Sequence, residues 1–190
     1  MSTFNQVGAV IRNGVLRAMR LDATTHALLT LDYAHHEVHD GSSFNYSDLV
    51  TLGSAGVQNY VIVTPDTTKW AHFGYEVEGS FGITIEAFEG SDRTPTTLQT
   101  SFNRNRNSIK AATLLVYKNY SAGTTDGMRI VWRKSGTGAA GGKLAGNAGE
   151  STERILKQNT QYTLRITSAA ASNDVSVRMS WYEHTSRDVS

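Results

Sequence analysis

Apolar side chains recur at every second position over most of this chain. Phe81, Ile83, Ile85 and Ala87 alternate with Gly82, Thr84 and Glu86. Ala71, Phe73, Tyr75 and Val77 alternate with His72, Gly74, Glu76 and Glu78. The same rhythm runs through Met128-Ile130-Trp132, Tyr162-Leu164-Ile166 and Val175-Val177-Met179-Trp181. A strand sends successive side chains to opposite faces, so each run predicts a strand with one buried and one wet face. Further strands are expected at Tyr60–Thr64, Thr113–Lys118 and Phe44–Leu52. Glu78-Gly79-Ser80 reads as a tight hairpin, and Pro65 and Pro95 are placed between strands, where a missing N–H does no harm. About eight short one-sided strands and no long helical pattern predict an all-β sandwich, with a jelly roll preferred over other Greek-key orders.

Two stretches break the rhythm. Residues 1–26 mix apolar and basic side chains in neither period and read as an N-terminal arm, leaving 27–190 as the sandwich domain. Residues 135–149 hold six glycines and read as a long loop. With 18 basic and 17 acidic residues the net charge is +1, which speaks against a uniformly basic nucleic-acid binder. Ser and Thr together number 40, the composition of a neutral, Thr-rich β protein. The absence of cysteine excludes disulfides, thiolate metal sites and a cysteine nucleophile. The N-terminal stretch lacks a basic patch followed by an apolar run, and no stretch approaches the ~20 apolar residues of a membrane span. A soluble protein made in a cytoplasm is expected.

The motifs carry little chemistry. His35-His36-Glu37-Val38-His39 offers metal-type donors, and on a strand His35, Glu37 and His39 would share a face. The second histidine comes one residue too early for His-Glu-x-x-His, and His72 or His184 could complete a site only through the fold. The expected role of the segment is hydrogen bonding at an edge or interface. The glycine loop fails as a phosphate loop: Thr137 stands where its first glycine belongs and Leu144 follows Lys143. Asn103-Arg104-Asn105-Arg106-Asn107 is basic without interleaved aromatics, so it suits a loop or protein contact better than base stacking. Trp132 and Trp181 fall in phase with apolar neighbours and are expected in the core. Trp70 falls in phase with His72 and Glu76 and is expected at the surface. No Gly-x-Ser-x-Gly elbow is present, and no motif supports an enzyme.

Several longer phrases are more specific. They are Asp32-Tyr-Ala-His-His-Glu-Val-His-Asp-Gly-Ser-Ser-Phe44, Thr64-Pro-Asp-Thr-Thr-Lys-Trp-Ala-His-Phe73, Asn103-Arg-Asn-Arg-Asn-Ser108, Ile155-Leu-Lys-Gln-Asn-Thr-Gln-Tyr162 and Trp181-Tyr-Glu-His-Thr185. Together, over about residues 22 to 185, they resemble the small virion structural proteins of tailed bacteriophages, of the head decoration or cement type. The resemblance implies a β-sandwich that assembles as homotrimers on the capsid exterior and bridges major capsid protein subunits. It implies no catalytic residues, cofactor or metal, and no nucleic-acid, membrane or small-molecule partner.

On this reading the arm carries capsid contact through Arg12, Arg17 and Arg20, pairing with carboxylates. His35, His36, His39, Trp70, Arg104 and Arg106 are the other candidate capsid or subunit contacts. Two rival classes follow from the same residues. One is a tail, baseplate or receptor-binding sandwich, which needs exposed aromatics and a cleft. The other is a metal-dependent, cupin-like jelly-roll enzyme using His35, Glu37, His39 or His72.

Overall fold

The structure, a computed structural model, describes residues 9–12, 15–18, 33–136, 146–147 and 153–185. Its contacts divide the chain into two units, Met1–His36 and Glu37–Ser190. In the first unit β1 (Ala9–Arg12) and β2 (Val15–Ala18) pair antiparallel, Ala9 opposite Ala18 and Arg12 opposite Val15. The glycine-rich stretch is described only at Ser135, Gly136 and the short strand Gly146–Asn147.

A helix, α1 (Tyr33–Asp40), precedes the strands. They are β3 (Ser43–Leu52), β4 (Val57–Val63), β5 (Lys69–Gly79), β6 (Ile83–Glu89), β7 (Thr94–Leu98), β8 (Phe102–Asn103), β9 (Leu115–Ala122) and β10 (Met128–Ser135). β11 (Gly146–Asn147), β12 (Arg154–Leu156), β13 (Gln161–Ser168) and β14 (Asn173–Thr185) complete the chain. One sheet has the order β10-β6-β13-β4-β9-β7, and the other β11-β5-β14-β3-β8 with β12 also on β5. The expected all-β sandwich is therefore the fold.

The alternation in the sequence is the alternation of burial. Val175, Val177, Met179 and Trp181 of β14 face Tyr60, Ile62, Leu164 and Ile166 of the opposite sheet in one apolar cluster. Each such side chain contributes about 1.5–3 kcal/mol by leaving water. Trp181, at 2% exposure, lies against Phe44 and Phe73, with ring centroids 6.0 and 6.3 Å away.

Three expectations need correction. Glu78-Gly79-Ser80 does not form a hairpin, because β5 and β6 lie in different sheets. The chain arches between layers there, held by Asn173, which is fully buried. Asn173 Oδ1 accepts from the Phe81 N–H (2.9 Å) and its Nδ2 donates to the Gly82 carbonyl (3.2 Å). Gly79 fits the arch because a Cβ would meet the Phe81 carbonyl at 2.8 Å. Pro95 lies inside β7, which has a neighbour on one side only, next to a register shift at Thr94. An edge strand with a bulge tolerates the missing donor.

Trp132 is not core: it is 63% exposed. Arg129 pairs with Phe88 but Val131 with Ala87, so β10 spends one extra residue there. The bulge reverses the parity, sending Val131 inward and Trp132 outward.

Candidate contact surface

The His35–His39 segment folds as helix, not strand, and this overturns the shared face. Residues two apart on a helix point to nearly opposite sides. His35 and His39 are exposed, as is His36, while Glu37 is buried. The stop signal is Asp40-Gly41. Gly41 adopts φ +75°, its N–H donates to the Val38 carbonyl (3.1 Å), and the Ser42 N–H donates to Glu37 (2.9 Å). These two bonds are the Schellman closure of a helix C-terminus.

The helix end is where the structure joins two candidates. Asn105 Nδ2 donates to the His39 carbonyl (3.1 Å), and Asn103 Nδ2 donates to Gly41 (2.8 Å). Asn103 and Asn105 also accept from the N–H two residues on, at 2.9 and 3.1 Å. The asparagines of the basic run thus build a capping loop. The arginines are left outside it: Arg104 and Arg106 are exposed, and the Arg106 guanidinium stands 5.4 Å from the Phe102 ring centroid. Lys110 Nζ meets Asp40 at 2.9 Å. His39, Arg104 and Arg106 therefore belong to one surface region of mixed charge. Arg12 and Arg17 lie in β2's antiparallel pair with β1, where the structure describes backbone only, and Arg20 lies outside the described residues.

Trp70, 42% exposed, sits on the outer face of β5 as expected. Beside it is a cluster with no simple signature in the sequence. Tyr182 and His184 of β14 lie opposite His72 and Trp70 of β5 in register. The His72 and Tyr182 rings stack with centroids 4.5 Å apart. His72 Nδ1 bonds Glu153, which also accepts from the Tyr182 hydroxyl (2.8 Å). His72 Nε2 and His184 Nε2 are 2.7 Å apart. Period-two parity puts His72, Tyr182 and His184 on one face, but only the strand register makes them neighbours. Among the described residues no group of three or more His, Cys, Asp or Glu is arranged to hold a metal ion.

A second polar network covers the outer face of the other sheet. Asp126 accepts from Arg93 Nε (2.8 Å) and from Arg165, whose Nη2 also donates to the Tyr120 hydroxyl (3.1 Å). Burial would raise the Asp126 pKa, but the two guanidinium groups outweigh it and hold the carboxyl below its ordinary range. This network pins the 122–127 connection over Phe88, whose ring lies 5.1 Å below the Arg165 guanidinium.

Inside the sandwich a cavity of about 30 Å³ lies among Phe73, Tyr75, Ile130, Tyr162 and Leu164. That is room for about one water molecule, too little for a cofactor. Scans of the chain against protein-family models, curated proteins and solved structures find no match.

Proposed function

We propose that this chain is a non-enzymatic bacteriophage capsid decoration protein, binding the outer surface of the major capsid lattice as a homotrimer. The phrase-level resemblance motivates the reading, and the strand order supports it. With β7, β8 and β9 set aside as additions at one side, the sheets read β3-β14-β5 flanked by β11 and β12, and β4-β13-β6-β10. Successive strands β3 to β4, β4 to β5, β5 to β6 and β13 to β14 change sheet each time. That interleaving supports a jelly roll, a fold used by viral structural proteins. A decoration protein needs a rigid sandwich with an extension to grip neighbours. The separate contact unit at the N-terminus suits that extension. Many weak contacts then act together across the lattice.

The test is binding of tag-free protein to purified expanded capsids, with full-length chain and a chain lacking residues 1–26. The full chain is expected to saturate the capsid and the truncated one to stay a folded trimer in solution. Saturation by the truncated chain removes the arm from the reading. No binding by the full chain removes the capsid.

The position of Trp132 favours a second reading, a tail or receptor-binding sandwich that recognises host glycan. Its ring is exposed, with the Arg129 guanidinium 5.0 Å from its centroid, and exposed aromatics are what a sugar platform requires. Antibody labelling of the particle separates the two: signal over the head supports decoration, signal at the tail supports receptor binding.

A further inference from the structure

The loop that caps α1 carries an apolar side chain with nothing over it. Ile109 is fully exposed, and Phe102 in the same loop is half-exposed. One apolar residue on a loose surface loop needs no explanation. This loop is tied down on both sides of Ile109. Asn103 Nδ2 donates to the Gly41 carbonyl and also to the Lys110 carbonyl (3.0 Å), which sets the two limbs of the loop side by side. Between them Asn105 holds the His39 carbonyl, and the Ser108 N–H donates to the Asn105 carbonyl (3.0 Å). The Lys110 N–H donates to Ser108 Oγ (3.2 Å). Ile109 therefore projects from a fixed base. A side chain already held in place gives up less entropy on contact than one on a loose segment.

The charge around Ile109 is of one sign. From Phe102 to Lys110 the loop has three cations, Arg104, Arg106 and Lys110, and no carboxylate. Asp40 meets Lys110. The two guanidinium groups keep their charge: Arg104 Nη1 meets the neutral Ser43 hydroxyl (3.5 Å), and Arg106 lies over the Phe102 ring. An apolar centre inside a polar rim is the anatomy of a protein contact, and arginine is the charged side chain enriched there. Nucleic acid fits less well, because Ile109 offers no stacking face and Phe102 already has Arg106 on it.

We infer that the 102–110 loop is a second capsid contact, with Ile109 entering an apolar socket and Arg104 and Arg106 meeting carboxylates at the rim of that socket. The partner is an acidic protein surface with a pocket for one aliphatic side chain. The inference rests on the capsid reading for the identity of that surface, and it adds to the arm a contact that the arm does not include.

Depletion binding of tag-free, full-length chain to purified expanded capsids tests it, beside Ile109→Asp, the double variant Arg104→Glu with Arg106→Glu, and Leu49→Asp. Leu49 is exposed on β3, outside the loop, and controls for the loss of any surface apolar group. Ile109→Asp is expected to weaken binding at least tenfold and to leave the thermal midpoint unchanged, because the native side chain is wholly in water. The arginine reversal should weaken binding most at low salt and less at high salt, where screening has already removed the attraction at the rim. Leu49→Asp should bind as the native chain does. Native binding that both loop variants leave intact overturns the inference and keeps the capsid reading. No binding by the native chain removes the capsid reading and this contact with it. Equal losses in Ile109→Asp and Leu49→Asp overturn the loop's part in binding. Sedimentation of Ile109→Asp assigns the contact to a second copy of the chain if the trimer dissociates. Flotation with phosphatidylglycerol vesicles assigns it to a lipid surface if the native chain floats and Ile109→Asp does not. Either result overturns the proposal.

Discussion

Glu183 shows how a single polar residue can organise one end of the sandwich. It is 4% exposed, yet its carboxylate accepts from the Thr113 N–H (2.9 Å), the Leu114 N–H (2.9 Å) and Trp181 Nε1 (3.0 Å), and from the Thr113 hydroxyl. A buried carboxylate is tolerable only when its oxygens are met in this way. Glu183→Gln turns an NH₂ donor toward N–H groups that need an acceptor, and should cost about 1–3 kcal/mol in urea denaturation. The signal was present in the sequence, because Glu183 shares parity with Trp181 on the apolar face of its run. What period two could not supply was the partner, seventy residues away in the chain. Asn173 follows the same logic. Its amide satisfies the arch at Phe81 and Gly82, so Asn173→Ala should lower the denaturation midpoint by a similar free energy, about 1–3 kcal/mol.

At the scale of elements, the strands were legible and their irregularities were not. Alternation locates β5, β6, β13 and β14 because burial on one face imposes it. The bulge in β10 leaves no mark in the sequence, since Met128-Ile130-Trp132 alternates as well as any regular strand. Only the pairing with β6 shows the extra residue. The consequence is measurable. Trp132→Ala should change stability by under about 1 kcal/mol, whereas Trp181→Ala should cost about 3–5 kcal/mol. Thermal denaturation of the two variants decides between regular and bulged register: equal losses would contradict the bulge. The helix α1 was missed for a different reason. Its histidines carry no apolar stripe, and its stop signal, Gly41, reads as an ordinary turn until the capping bonds are seen. Gly41→Ala drives a Cβ into the Ser108 side chain at φ +75°, so it should destabilise by more than about 1 kcal/mol and loosen the 103–108 loop with it. Hydrogen exchange at the Asn105 and Asn107 N–H groups reports that loosening.

For the whole molecule, acid stability depends on carboxylates that are tied down on different parts of the sandwich. Asp126 lies between Arg93 and Arg165. Glu89 meets Lys157 and Tyr162, and its carboxyl is held low chiefly by the lysine. Asp48 meets Lys118 at 2.7 Å and the Tyr60 hydroxyl at 2.8 Å; burial opposes its ionisation, and these partners overcome the opposition. A carboxyl whose folded pKa lies below its unfolded value stabilises the fold above that unfolded value, about 4, and loses the contribution as pH falls through the folded one. Tyr162 bounds the other side. Burial and the nearby Glu89 push its hydroxyl up to about 12, so its contribution is complete below the ordinary tyrosine pKa of about 10 and is lost as pH rises from there through about 12. Stability should therefore be level between about pH 5 and 9, and fall below about 4 and above about 10. Asp126→Asn isolates one of these acid contributions, because it leaves two guanidinium groups facing one neutral amide. Its side chain is only 15% exposed, so the loss at pH 7 should be on the order of 3 kcal/mol. The difference from the native protein should narrow as pH falls from 5 to 3, because the native Asp126 is then losing its charge as well. Urea denaturation of both proteins across that range measures the convergence. A difference that stays constant would mean that the carboxylate acts through packing of the 122–127 connection and not through its charge.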